Sequence, residues 1–110
     1  MAYDEELADP IRDLLVADPA VVEKRMFGGL AFLIGGHLAV AVSHSGGLLC
    51  RVDREDQEAA LLRPYAAPMV MKGRAMAGWV RVDAAGVAED DDLRFWVDVG
   101  AEHARGKPPK

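Results

Sequence analysis

Apolar residues recur at helical spacing in the first twenty positions. Tyr3, Leu7, Ile11, Leu14 and Leu15 fall on one stripe. The stripe predicts a helix with Asp4 as N-cap and Glu5 and Glu6 in its first turn. A kink is expected near Pro10, and an end at Asp18-Pro19. The pattern then changes. Short apolar runs bounded by glycines cover 30–34, 38–42 and 48–52, with a poorly alternating run at 21–27 before them. Runs this short, separated by turn residues, predict strands. The first is either a strand or a lead-in. Gly35-Gly36 is a two-residue hairpin signal, and residues 43–47 form a second turn. Asp53 opens a second helix as N-cap, with Glu55 and Asp56 behind it, and the helix stops near Leu62, ahead of Pro64. Residues 63–68 hold two prolines and read as a loop. Residues 69–72 and 79–83 predict the last strands, and Gly73 to Gly78 looks too long for a tight hairpin turn. Ala84-Ala85-Gly86 is a turn. Leu93, Trp96, Val97, Ala101 and Ala104 define a third helix that starts near Glu89 or Asp90. Asp90, Asp91 and Asp92 sit at its positive end and His103, Arg105 and Lys107 at its negative end. Gly106 and Pro108 are its stop.

Strands joined by short turns pair antiparallel. The expected fold class is therefore α+β: a two-layer domain with an antiparallel sheet of about five to six strands and helices mainly on one face. Runs 30–34 and 38–42 put apolar side chains on both faces of their strands. Helices on one side hide only one face, so loops or a partner molecule must cover the other. A homodimer is the economical expectation.

Length fits one domain, 1–110. For 11.9 kDa, surface scaling predicts roughly 6,000 Å² exposed after folding, with about 65% of the chain's surface buried. A 51% hydrophobic, 28% charged composition argues against disorder. The net charge of −5 makes direct nucleic-acid binding an unlikely role. That charge is uneven: residues 1–20 carry −5, residues 21–82 carry +3 and residues 83–110 carry −3. The basic middle is either an anion-facing surface or the by-product of acids placed at helix starts. No apolar run is long enough for a membrane span, and the acidic opening is unlike a signal peptide. A cytoplasmic protein without membrane partners is expected.

Candidate chemistry is sparse. A single cysteine excludes an internal disulfide and a cysteine-cluster metal site. Cys50, beside Leu48 and Leu49, reads as a small buried hydrophobe. His37, His44 and His103 lack ligand spacing, so no metal and no cofactor are expected. Ser43 and Ser45 lie in no nucleophile elbow. With no readable nucleophile and base pair, the chain is not expected to be an enzyme. Two glycine turns remain. Lys24, Arg25, Phe27, Gly28 and Gly29 form the first, and Lys72, Arg74 and Trp79 flank the second. Glycine amides near cations can hold an anion, and aromatics can stack on a base. The bland reading is tight turns, core aromatics and solvated bases. Arg51 and Arg81 extend the basic set if they share its face.

The run EKRMFGGLAFLIGGHLAV, Glu23 to Val40, resembles the signature of the TfoX/Sxy N-terminal domain family of bacterial competence regulators. Arg25, Met26-Phe27-Gly28-Gly29, the apolar run Leu30 to Ile34, Gly35-Gly36 and the run Leu38 to Val42 carry it. GRAMAGWVRVD, Gly73 to Asp83, is similar to the Gly-Arg-x-Met-x-Gly-Trp stretch of short members made of this domain alone. Tyr3 to Leu7 and the closing Pro-Pro-Lys fit the same subgroup. The resemblance implies an α+β domain with an antiparallel sheet and a regulatory, protein-interaction role. It implies transcription machinery as the partner class, since full-length members act with the cyclic-AMP receptor protein. It brings no catalytic residues. The alternative expectation is a small anionic ligand or nucleotide held by the two basic glycine turns.

Overall fold

The computed structural model describes residues 5–26, 28–43 and 46–108. Their elements run α1 (Glu5–Leu15), β1 (Val21–Met26), β2 (Gly29–Ile34), β3 (His37–Val42), β4 (Leu48–Arg51), α2 (Arg54–Leu61), β5 (Ala66–Met71), β6 (Arg74–Val82), a 3-10 turn (Ala84–Val87) and α3 (Asp90–Arg105). The strands form one six-stranded sheet in the order β1-β2-β3-β4-β6-β5. Every neighbouring pair is antiparallel. This is the expected α+β architecture, and the accessible surface of 6514 Å² is close to the size expectation.

The helices seal one face. Phe32, Val40, Val42, Leu48 and Cys50 from the strands meet Ile11 of α1 and Trp96, Val97 and Ala101 of α3 in one buried core. Full burial of a side chain such as Phe32 contributes about 1.5–3 kcal/mol. The α3 stripe read from the sequence, Leu93 to Ala104, is the buried stripe. α3 lies so close on β3 that Gly100 makes the contact, where a Cβ would strike the Ala39 carbonyl and stand 2.8 Å from Val40 Cγ1. α2 sits over β6, where Gln57 Oε1 accepts the Gly78 N–H at 3.0 Å.

Several boundaries differ from the sequence reading, each for a local reason. β1 is a full strand; as a sheet edge it carries Glu23, Lys24 and Arg25, which blur its alternation and discourage edge-to-edge pairing. β5 begins at Ala66 and runs through Pro68, inside the segment expected to be loop. Its edge position and a bulge between Pro68 and Val70 spare the missing N–H. β6 begins at Arg74, so the β5–β6 connection is the tight pair Lys72-Gly73, with φ of 53° and 76°. Both central residues are left-handed, as a type I′ hairpin turn requires. α1 runs through Pro10. Asp53 stands at the N-cap of α2, but its carboxylate makes no cap hydrogen bond. It accepts instead from His103 Nδ1 at 2.7 Å. The expected cap Asp4 lies outside the described residues.

The second face is the larger surprise. Among the described residues no helix contributes to its cluster, yet Ala31 is 0%, Ala41 2% and Leu49 5% exposed. Met69 is also buried, and Met26, Leu33, Leu38, Met76 and Trp79 close around them. Met26 on β1 and Trp79 on β6 line the same cleft. In a flat sheet four strand spacings, about 19 Å, would separate them. The sheet therefore curls, and its concave side folds long side chains over a floor of alanines. At the centre of this face the chain's own side chains supply the covering expected from loops or a partner.

Candidate functional site

Register decides which of the sequence-marked residues meet. Lys24 pairs with Ala31, and so shares the concave face; Arg25 pairs with Leu30 and lies on the opposite one. Trp79 pairs with Arg51, and Arg81 with Leu49, all on the concave face. Lys72 and Arg74 sit at the β5–β6 hairpin, whereas Gly28 lies in the β1–β2 turn and Gly29 opens β2 at the other edge of the sheet. The two glycine turns do not form one pocket. Phe27, His44 and Ser45 lie outside the described residues.

The concave face has a one-sided charge. Glu23 is the sole acid on any described strand. It points to the helix side, where Arg12 grips it through Nε and Nη2, each at 2.9 Å. Lys24, Arg51 and Arg81 therefore meet no strand carboxylate on their own face. The rest of that face is Met, Leu, Ala and Trp.

At one end of this face lies a cleft of about 260 Å³. Leu33, Leu38 and Met26 give it an apolar wall, and Trp79 and Arg51 face them. The Arg51 guanidinium stacks 4.7 Å from the Trp79 ring centre. Its Nε donates to Gly78 O at 3.1 Å, which fixes the plane of the fork. Partial burial pulls the Arg51 pKa down from its ordinary value. His37 and Lys107 complete the rim. His37 Nε2 donates to Pro108 O at 2.7 Å, pinning the chain after α3 against the β2–β3 hairpin and holding Lys107 at the cleft. Among the described residues the cleft lining contains no carboxylate.

A second hollow, about 440 Å³, separates α2 from α3. Its character is opposite: Asp53, Asp56 and Glu102 rim it. Its apolar patch, Phe95, lies under the Arg63 guanidinium at 3.6 Å, and Arg63 also reaches Asp92 at 3.5 Å. His103 is 7% exposed and forms the wall between the hollow and the cleft, tied to Asp53.

Cys50 is buried against α3, where its Sγ–H donates to Trp96 O at 3.3 Å. Desolvation raises its pKa to about 12, which makes it the inert hydrophobe the sequence suggested.

The model of the TfoX N-terminal domain matches residues 13–104. The chain belongs to that family. No curated protein matches it. For this TfoX N-terminal domain the sequence signature proves to be largely architectural: Gly28, at φ 73°, lies in the β1–β2 turn, and Gly29 to Ile34 form an interior strand. Patterning passes over His37 and Lys107, which stand far apart in the chain and meet only through the folded end of α3. It also passes over the α2–α3 hollow, for which a signal exists: Phe95 and Val99, four residues apart, widen the α3 stripe on one side.

Proposed function

We propose that this TfoX N-terminal domain is a non-enzymatic regulatory module that engages a protein partner through its concave sheet face. The observation that carries the reading is the composition of that face: a fringe of Met, Leu and Trp side chains ringed by Lys24, Arg51 and Arg81, with no strand acid among them. A chain of net charge −5 that gathers cations on one apolar surface is matched to an acidic, partly apolar segment. The resemblance to competence regulators supports the transcription machinery as the source of such a segment. A second copy of the chain is the rival occupant. Stacked face to face, it would oppose like charges, so the hetero-partner is favoured.

The experiment places a photoreactive residue at position 24 in the host cell. The expected adduct is a protein with an acidic segment, lost in Arg81→Glu at a temperature where circular dichroism shows that variant folded. An adduct made only of a second copy, or one that survives Arg81→Glu, overturns the reading.

A further inference from the structure

We propose that the cleft between Arg51, Trp79, His37 and Lys107 is a binding site for a small organic anion: a carboxylate or phosphate carried on a flat apolar body. The inference goes beyond the protein-interaction reading and stands without it.

Three observations converge. The cations are present and uncommitted to acids: among the described residues neither Arg51 nor Lys107 has a carboxylate within ion-pair distance, and none lines the cleft. A half-buried guanidinium lacking an anion is a costly arrangement, and an anionic ligand relieves it. The geometry is fixed in advance. Trp79 stacking and the Gly78 carbonyl orient the Arg51 fork and use only its Nε. The two Nη groups are left for a two-pronged contact of the kind arginine makes with carboxylates and phosphates. Finally, Leu33 and Leu38 supply an apolar wall opposite the indole, a slot suited to a flat body.

Size narrows the class. At about 260 Å³ the cleft falls below the roughly 300–1,000 Å³ of sites that enclose drug-sized ligands. A dinucleotide does not fit. A single ring or short branched chain bearing one anionic group does. His37, whose Nε2 is engaged by Pro108 O, is held in place at the rim.

The test uses the intact chain and four probes: benzoate, phenyl phosphate, inorganic phosphate and benzyl alcohol. Binding is read by calorimetry and by indole fluorescence, which reports on Trp79 because Trp96 is buried in the helix-side core. Benzoate or phenyl phosphate is expected to bind at least tenfold more tightly than benzyl alcohol, and more tightly than inorganic phosphate. Added salt should weaken that binding. Arg51→Gln should cost roughly tenfold or more in affinity, because a charge-assisted contact is lost. Lys107→Gln, at an exposed position, should cost several-fold and keeps the test open if Arg51→Gln folds poorly. Arg94→Gln, on the outer side of α3, should change nothing. Binding of benzyl alcohol equal to that of benzoate, affinity untouched by Lys107→Gln, or no heat and no quenching at 10 mM probe would each overturn the site. The assay contains no partner protein, so failure of the interaction reading leaves its outcome unmoved.

Discussion

Single side chains in this domain are decided by contact distances. Gly100 is helical, so alanine there would ordinarily help by about 1 kcal/mol. Its Cβ would instead press on the Ala39 carbonyl and on Val40 Cγ1 at 2.8 Å. A backbone oxygen cannot rotate away, and overpacking typically costs 1–3 kcal/mol. We expect Gly100→Ala to destabilise the fold by about 1–2 kcal/mol net, read as a lower denaturant midpoint with an unchanged slope. Cys50 gives a second residue-scale expectation. Its thiol, moved by desolvation from 9.0 to about 12, deprotonates later in the folded chain than in the unfolded one. Between those values the unfolded state binds fewer protons, so the Cys50 contribution to stability is full below pH 9 and falls as pH rises toward 12. Cys50→Ala should flatten that alkaline loss. At pH 8 the native thiol should resist iodoacetamide and react only on unfolding.

At the scale of elements, the hairpin Ala66 to Val82 shows what local signals can and cannot say. Lys72 occupies a left-handed position at φ 53°, where asparagine is at home and lysine is not. Lys72→Asn should stabilise the domain by a few tenths to about 1 kcal/mol, raising the melting temperature without altering the fold. The same hairpin was the least legible part of the sequence. Pro68 is a loop signal unless the strand is known to lie at an edge, and edge position is a property of the sheet order. Gly78, at φ 81°, marks a break in the alternation of β6, so the run before Trp79 does not look like strand. By contrast, β2, β3 and β4 are set by short apolar runs between turn residues and the stripes of α1 and α3 by apolar periodicity, and they appear where those signals put them. The candidate site divides along the same line. Trp79 and Arg81 share a face because they lie two apart on one strand, whereas Arg51 joins them only through the β4–β6 register. Lys107 and His37 could not be placed together, since their meeting depends on the hydrogen bond of His37 to Pro108.

The whole molecule holds two cores back to back across one curved sheet, and only one of them lies under helices. The concave one is the more informative. If its alanines and Leu49 were an open surface awaiting a partner, trimming Leu49 would cost little, since exposed substitutions stay within about 0.5 kcal/mol. If the curl and its Met, Leu and Trp fringe form a core within the single chain, Leu49→Ala leaves a cavity and costs about 2–3 kcal/mol. Leu49 is 5% exposed with no other molecule present, so the second outcome is expected. Phe32→Ala on the helix side should cost more, about 3–5 kcal/mol, against a total of about 5–15 kcal/mol for a chain of this size. Urea unfolding of both variants at two protein concentrations decides the matter. A loss at Leu49 independent of concentration means that the single chain closes the concave face by itself, and that any partner meets only its cationic rim and fringe. A loss that grows on dilution would mean that a second copy completes the core.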